Sequence, residues 1–574
     1  MHIDAVPNRD SRPTYLLRES FRDGKRVRKR TLANLSALSD AQIAALRLVL
    51  RGEGVCPPSS LFEVMTSRGS GHVQAVCVAM RQLQMERLLA ARASRERDLV
   101  MAMIAARVVS PNTKLATTRC WHSTTLAQDF GVAEAEADED DLYGAMDWLL
   151  AHQDTIQDTI QKKLAARHLK EGGLVLYDLS SSYFEGLTCL LAKLGYSRDG
   201  KKGMLQVNYG LLTDARGCPV AVSVYEGNVA DSQTFLPEVE RLRGSFGIER
   251  MVMVGDRGMI SSKAIAELRQ SPGVDWITAL KSTSICGLLE QGQLQLGLFD
   301  ERNLVEIESP EYPGERLVAC RNPELAKLRA HKREDLIART ERNLEKVRDR
   351  VRSGKLVGQD RIGVAVGRVI NQYKVAKHFE LIIDAGSLRW ARNAQRIGAE
   401  AALGGIYIIR TSVPSERMDG PQCVRSYKAL ANVERAFRSL KTVDLKVRPI
   451  HHRTADRVRA HILLCMLAYY VEWHMREAWR ELMFADTEQA PKSTRGPVAP
   501  AKRSAKALRK VASRTLDDGS PVHSFATLLD DLSGIVRNTC RAPNADDDQP
   551  TFDVVTTANA QQRRALDLVA QIRP

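Results

Sequence analysis

The spacing of apolar residues changes close to residue 172 and divides the chain into two kinds of predicted structure. Between residues 37 and 170, apolar residues recur every three or four positions, which predicts a mainly helical region. At residues 173–180 they become almost continuous, which predicts a buried central strand. Beyond it the pattern predicts strands at 205–213, 219–226, 251–256 and 276–280, and helices at 235–242 and 262–270. The predicted order is strand, strand, strand, helix, strand, helix, strand.

Before this region, residues 9–36 alternate between polar and apolar positions on both sides of Asp23-Gly24, a pair typical of a tight turn. The pattern predicts a β-hairpin within residues 1–36. The hairpin is basic, through Arg18, Arg22, Lys25, Arg26, Arg28, Lys29 and Arg30. Such a surface either contacts phosphates or is simply solvated, and its charge favours contact with DNA.

The second half of the chain continues the strand-rich module after an interruption. Residues 171–284 form its first part and residues 401–485 its second, with a strand at 405–411 and helices at 426–441 and 457–484. Residues 285–400 are predicted to be an insertion domain with weak strands and a charged helix at 323–351. Residues 486–521, rich in Lys, Arg, Pro, Ser and Ala, predict a disordered basic linker. The C-terminal segment, 522–574, is predicted to hold helices at 525–536 and 561–572.

Composition narrows the choice of partner and compartment. The 574 residues include 84 Lys and Arg against 69 Asp and Glu, a net charge of +15 that favours a polyanion such as nucleic acid. Ten cysteines without a Cys-x-x-Cys pair indicate neither a disulfide framework nor a zinc ribbon. No apolar run is long enough to span a bilayer, and the N-terminus lacks the core of a signal peptide. We expect a soluble, cytoplasmic protein.

Three acids are candidates for chemistry. Asp178 lies in the first predicted strand and Asp256 ends the fourth, where a buried carboxylate is costly unless a metal or a donor offsets it. Glu434 lies among bases in the predicted helix 426–441, with Tyr427 and Lys441 seven positions to either side, on the same face of a regular helix. If the three acids converge, hard divalent cations such as Mg²⁺ would bind there. Taken singly, each Asp also fits a strand-end cap, Tyr427 ordinary packing and Lys441 a surface lysine.

The pattern of strands and acids resembles the RNase H-like fold of DDE transposases over about residues 170–480. The helix that carries Glu434 is similar to the signature of insertion-sequence transposases of the IS-four-like superfamily, which is Tyr, two residues, Arg, three residues, Glu, six residues, Lys. Tyr427, Glu434 and Lys441 match it, whereas Leu430 stands at the position of the arginine. Further similar runs are Gln206-Val207-Asn208-Tyr209-Gly210-Leu211, Tyr225-Glu226-Gly227-Asn228 with Asp231, and Gly255-Asp256-Arg257-Gly258.

This resemblance implies an α/β fold: an RNase H-like mixed sheet flanked by helices, interrupted by an insertion domain and preceded by a helical DNA-binding region and a basic hairpin. It implies that Asp178, Asp256 and Glu434 are catalytic and hold two Mg²⁺ or Mn²⁺ ions. Those ions would support cleavage at transposon ends and strand transfer to target DNA.

The resemblance also implies contacts with DNA. Tyr427 and Lys441 would contact the DNA end, Arg257 would orient a phosphate or pair with an acid, and Arg438 would partly replace the missing arginine. The implied partner is double-stranded DNA, bound by a homodimer in the synaptic complex, at the bacterial nucleoid. Two alternatives stay open: a structure-selective nuclease with the same fold, and a decayed relative that only binds DNA, which Leu430 keeps in consideration.

Overall fold

The computed structural model describes residues 1–9, 11–52, 61–132, 137–153, 159–295, 297, 299–488, 496–499, 502–543 and 549–573. The strands are β1 (His2–Val6), β2 (Thr14–Asp23), β3 (Arg26–Asn34), β4 (Glu63–Gly69), β5 (Gly173–Tyr183), β6 (Lys193–Leu194), β7 (Leu205–Thr213), β8 (Pro219–Glu226), β9 (Met251–Val254), β10 (Val274–Ala279), β11 (Leu304–Ile307), β12 (Arg316–Arg321), β13 (Phe379–Asp384), β14 (Ser387–Arg392), β15 (Ile406–Thr411), β16 (Val536–Arg541) and β17 (Phe552–Val555).

The helices are α1 (Asp40–Leu50), α2 (Gly71–Gln82), α3 (Met85–Leu89), α4 (Arg95–Val109), α5 (Lys114–Arg119), α6 (Leu126–Asp129), α7 (Glu139–Gln153), α8 (Ile160–His168), α9 (Asp231–Gly244), α10 (Ser262–Leu268), α11 (Ser282–Glu290), α12 (Pro323–Arg352), α13 (Gln359–Gln372), α14 (Ala394–Ala402), α15 (Gly420–Lys428), α16 (Leu430–Arg438), α17 (Ala455–Ala478), α18 (Ala505–Ser513), α19 (Phe525–Ser533) and α20 (Ala560–Ala570). The chain forms two compact units, a smaller one of residues 1–70 with 534–557 and a larger one of residues 71–533 with 558–574.

In the smaller unit, the predicted basic hairpin is present as β2 and β3, with Gly24 in the turn at φ +63°. The structure adds β1, which pairs antiparallel with β2, and the carboxylate of Asp4 on β1 accepts hydrogen bonds from Arg18 and Lys29. A second sheet has the order β17-β16-β4. The C-terminal segment was predicted to contain helices at 525–536 and 561–572, and the structure adds strands β16 and β17 between them, because β16 pairs with β4, far away in sequence.

The larger unit is built on a mixed sheet in the order β11-β12-β15-β10-β9-β5-β7-β6, with β8 also paired to β7. β5 pairs antiparallel with β7 and parallel with β9, and β9 pairs parallel with β10. Helix α17 packs against β8, α4 and α7, and is buried around most of its circumference from Ala460 to Met475. Its end is fixed by Trp479, whose indole N–H donates to the carbonyl of Ala565 in α20 (2.9 Å).

The interval 285–400, predicted to be an insertion, is divided between two cores. Strands β11 and β12 extend the large sheet through β15, and they pack with Leu288 and Ile408 in its core. Helices α12 and α13 with β13 and β14 surround a separate core that contains Leu344, Val366 and Phe379. The prediction therefore assigned two strands of the main sheet, β11 and β12, to the insertion. It did so because the pairing of β12 with the distant strand β15 cannot be recognised from the spacing of apolar residues.

Part of the predicted disordered linker 486–521 is a helix. Ser504 caps α18 by accepting a hydrogen bond from the backbone N–H of Ala507 (3.1 Å), and Asp486 accepts hydrogen bonds from the backbone N–H and hydroxyl of Ser504. Ala507 and Lys510 of this helix are buried. The prediction of disorder, made from composition, therefore does not hold for residues 505–513, which pack against other parts of the chain. Residues 489–495 and 500–501 of the predicted linker lie outside the described residues.

Candidate active site

Asp178 and Asp256 occupy matching positions on neighbouring parallel strands. The parallel register of β5 and β9 ends with the pair Leu176 and Val254, and each acid follows its strand's member of that pair by two residues. Both acids therefore lie just beyond the carboxyl end of the paired segment of β5 and β9, although β5 itself continues to Tyr183. Open α/β sheets commonly bind ligands at the carboxyl ends of their strands. Asp178 is still within β5, opposite Leu211 of β7, and is half-buried, whereas Asp256 is exposed.

The segment that carries Glu434 is less regular than predicted. The predicted single helix 426–441 is divided into the end of α15, then α16, then a π-helical turn over Ser439–Val443. Tyr427 is in α15, Glu434 in α16 and Lys441 in the π turn. Because a π turn has a wider repeat than an α-helix, the regular spacing that placed Lys441 on the face of Glu434 does not hold there.

Helix α16 packs against β5 and so brings Glu434 towards the sheet. Val433, Ala436 and Phe437 are buried at the three- and four-residue spacing of one helix face. The ring of Phe437 meets that of Tyr209 on β7 edge to face, with 5.8 Å between centroids. Glu434 follows Val433 in the helix and is exposed.

The three acids lie close enough to one another to interact electrostatically. The pKa of Asp178 is raised to about 7, first by burial and further by the negative charges of Asp256 and Glu434. A hydrogen bond from the backbone N–H of Leu179 (2.8 Å) and the positive charge of Arg198 act in the opposite direction. The carboxylates therefore repel one another, an arrangement that a bound cation would relieve.

Tyr427 also belongs to this site. Burial raises its pKa to about 12, with further contributions from the charge of Asp256, from a side-chain hydrogen bond with Asp256, and from Glu434. Arg257 lowers that pKa by its charge, and its own backbone N–H donates to the Asp256 carboxylate (2.6 Å). The structure thus brings Tyr427 and Arg257 to the acids that the sequence singled out.

Lys441 has a buried partner that the sequence did not indicate. Its ammonium lies 3.1 Å from the carboxylate of Asp199, which also pairs with Arg448. Burial lowers the pKa of Lys441, and the charge of Arg198 acts on both Lys441 and Asp178. Asp199 and Arg448 were missed because nothing in their spacing relates them to the helix of Glu434.

Arg438 and Leu430 are placed differently. Arg438 is exposed and lines a pocket with Arg216 and Trp473 that none of the three acids lines. Leu430, at the position of the signature arginine, begins α16 and is half-buried. Arg438 thus lies one helical turn after Glu434 in α16 and lines this pocket.

In the described part of the chain, His168, Cys218 and His474 form a set of three potential metal ligands whose ligand atoms all lie within 4.8 Å of one another. Asp178, Asp256 and Glu434 are not part of this set.

With this geometry in view, comparison with known proteins identifies the class and then the family. A model described as "Transposase DDE domain" matches residues 185–471, half of the chain, and one described as "IS1634 family transposase, N-terminal domain" matches residues 4–55. No curated protein matches the sequence. A solved structure, the piggyBac transposase synaptic complex with hairpin DNA, is similar at 9% identity and a TM-score of 0.33, over 81% of this chain and 76% of that chain.

The chain belongs to the transposase DDE domain family, and it is a DDE transposase of a bacterial insertion sequence. Asp256 and Glu434 lie within the range matched by the DDE domain model, and Asp178 precedes it. Membership implies nuclease and transesterification chemistry on DNA, and the family generally uses divalent metal ions. Across the described residues, none of the helices combines the length and the apolar character that crossing a membrane requires.

Proposed function

We propose that this transposase cuts DNA at the ends of its insertion sequence and joins the cut ends to target DNA, with Asp178, Asp256 and Glu434 as the ligands of two Mg²⁺ or Mn²⁺ ions. The observation that carries the proposal is the convergence of the three carboxylates. Asp178 and Asp256 follow the shared register of β5 and β9, and the charges of Asp256 and Glu434 both raise the pKa of Asp178.

The strand order supports an RNase H-like core. Strands β8, β7 and β5 are antiparallel neighbours, and β9 and β10 follow β5 in parallel. Asp178 lies in the first of these strands along the chain and Asp256 directly follows the fourth. This order supports the proposal of an RNase H-like core, and β15, β12 and β11 extend the sheet on the side of β10.

The residues fit a pair of hard divalent cations. All three side chains offer carboxylate oxygens, the donors that Mg²⁺ prefers, and their mutual repulsion is what a cation would remove. When bound, two such ions would activate an attacking water or hydroxyl and stabilise the leaving oxygen of a phosphodiester. Asp178, Asp256 and Glu434 would hold these ions, and no covalent nucleophile of the protein is required.

Four further side chains are proposed to position the DNA. Tyr427, beside Asp256, and Lys441, held by Asp199, would donate hydrogen bonds to phosphate oxygens near the cut. Arg257 would contact a phosphate from the residue next to Asp256. Arg438 would act farther along the strand, from the pocket it shares with Arg216.

The test is a cleavage assay on a duplex that contains the inverted repeat found beside the coding sequence. Asp178→Asn, Asp256→Asn and Glu434→Gln should each lower Mg²⁺-dependent cleavage by more than about 100-fold. Replacing even a residue that only hydrogen-bonds to a metal ligand lowers metal affinity or activity by about 10- to 100-fold. Binding of the same duplex should be largely retained. Glu240→Gln, an exposed acid on α9, is the matched control and should cleave normally. Cleavage retained by any one of the three variants would overturn the assignment.

A further inference from the structure

A second cavity in the larger unit is strongly basic. It has a volume of about 900 Å³, and its lining includes Arg107, Lys114, Lys446, Arg448, Arg453 and Arg457. Among the described residues that line it, Asp140 is the one carboxylate. We call this cavity the basic pocket. Exposed side chains of His451 and Arg453 are part of its lining, so it is open to solvent.

Two of its cations are buried. Arg107 is 7% exposed and Lys114 is 5% exposed, yet both line the pocket. One guanidinium N–H of Arg107 donates to the backbone carbonyl of Leu445 at 3.5 Å, which is a long hydrogen bond. Neither side chain has a carboxylate partner among the residues that the structure describes.

Burying two like charges without a counter-charge is unfavourable. Burial, and then the charge of Arg107, lower the pKa of Lys114 to about 7. Among the other cations of the pocket, Arg448 pairs with Asp199, and Arg457 pairs with Asp147 and lies over the ring of Tyr143. Lys446 and Arg453 are exposed to solvent. The buried positive charge that lacks a counter-charge is therefore concentrated at Arg107 and Lys114, and an anion bound between them would supply one.

The basic pocket adjoins the candidate active site. Arg448, in its lining, shares the carboxylate of Asp199 with Lys441. The charge of Arg198 acts on Lys441 and also on Asp178. A DNA strand that passes the acids therefore has a second set of cations within reach, and DNA supplies phosphates at regular intervals along its backbone.

We propose that the basic pocket binds a backbone phosphate of the DNA on which the active site acts, with Arg107 and Lys114 as the buried ligands of that phosphate. The proposal rests on the proposed function for the source of the phosphate. The anion chemistry rests on the pocket itself. Guanidinium and ammonium groups are the usual partners of phosphate oxygens in proteins.

The test uses the full-length protein and two probes, inorganic pyrophosphate and a short labelled duplex of arbitrary sequence. In the wild type, pyrophosphate should raise the midpoint of thermal unfolding relative to chloride at equal ionic strength, and Lys114→Met should abolish that rise. The same variant should bind the duplex about tenfold more weakly, because it loses a charge-assisted hydrogen bond. Its plot of log affinity against log salt should be less steep by about one.

Lys346→Met is the matched control, since it removes the same charge from an exposed position on α12 that does not line the pocket. In chloride, Lys114→Met should unfold at the same temperature as the wild type or a higher one, because an unpaired buried charge is removed. Arg107→Gln provides a second variant with the same expected losses of binding.

Each outcome decides the proposal. If pyrophosphate does not stabilise the wild type, the pocket is not an anion site. If it does but Lys114→Met keeps its affinity and salt dependence for the duplex, a small anion and not DNA is the ligand. Asp178→Asn should behave like the wild type with both probes. If the three acids are not the metal ligands, the cleavage assay would show it, and the measurements with pyrophosphate and duplex would be unaffected.

Discussion

Two acids of the larger unit, Asp178 and Glu472, have pKa values raised mainly by removal from solvent, but their surroundings differ. Asp178 is surrounded by further acids at the edge of two strands, whereas Glu472 on α17 is fully buried and accepts hydrogen bonds from Ser439 (2.7 Å) and Arg476. Arg476 also donates a hydrogen bond to Asp444 (2.7 Å), so the carboxylate of Asp444 balances the positive charge of Arg476. Glu472 is therefore part of a side-chain network that anchors the π turn, whereas Asp178 accepts a hydrogen bond only from the backbone N–H of Leu179 among the contacts described.

The protonation of Glu472 leads to a prediction about stability and pH. Burial raises its pKa from 4.5 to about 8, with a further contribution from Asp444. Between these values the folded state retains a proton that the unfolded state has released, so this carboxyl reduces stability as pH rises through that window. Glu472→Gln removes this titration. Between pH 5 and pH 8 the free energy of unfolding of the variant should therefore fall by on the order of 1–3 kcal/mol less than that of the wild type.

Denaturant unfolding at several pH values checks this expectation. Glu477→Gln, an exposed acid on the same helix, should follow the wild type at every pH. If Glu472→Gln is instead less stable than the wild type by the same amount at pH 5 and pH 8, Glu472 is an ionised partner of Arg476 and the prediction is wrong.

At the scale of elements, close backbone contacts hold the edge of the sheet beside the active site. A Cβ at Gly195, after β6, would lie 1.8 Å from the carbonyl oxygen of Gly227, which follows β8. A Cβ at Gly227 would lie 2.0 Å from the carbonyl oxygen of Gln206 on β7. The Gly227 carbonyl also accepts a hydrogen bond from the Asn208 side chain (3.3 Å). Gly227 belongs to the run Tyr225-Glu226-Gly227-Asn228, which resembles insertion-sequence transposases, and these contacts leave no room for a side chain at its position.

Gly227→Ala should destabilise the larger unit by about 1–3 kcal/mol, because the methyl group would displace backbone and not a flexible side chain. Thermal unfolding measures the effect. Gly244→Ala, at the end of α9, has nothing within 4 Å of the added carbon and should be neutral or slightly stabilising. Equal midpoints for both variants would show that the β7–β8 edge relaxes freely.

At the scale of the whole molecule, the chain provides one set of the three proposed metal ligands, and transposition acts on two ends. We therefore expect the active form to contain at least two protomers bound to end DNA. The net charge of +15 is consistent with a polyanionic partner, although it does not set the number of protomers. Light scattering of the complex with end duplexes would measure the stoichiometry, and a single protomer that processes both ends would contradict the expectation.

Local patterns were enough for much of the large sheet. The predicted strands 205–213 and 219–226 agree with β7 and β8 to the residue, because a hairpin is specified by alternation and by a turn between adjacent segments. Asp178 and Asp256 were recognisable because a charged residue in or after an apolar strand needs an explanation. The convergence of these acids with Glu434 was expected from the sequence, and their assignment as metal ligands remains a prediction.

The sequence by itself determined most strands of the large sheet, the candidate acids and the family signature, since each is written in residues close together in the chain. Only the tertiary structure decided which distant segments pair: β4 with β16, β12 with β15, and Lys441 with Asp199. It also placed Arg107 and Lys114 together in the basic pocket. The strand pairings and the ion pair join residues far apart in the chain, whereas Arg107 and Lys114 are close in sequence but lie in different helices, α4 and α5. None of these contacts leaves a periodicity to recognise.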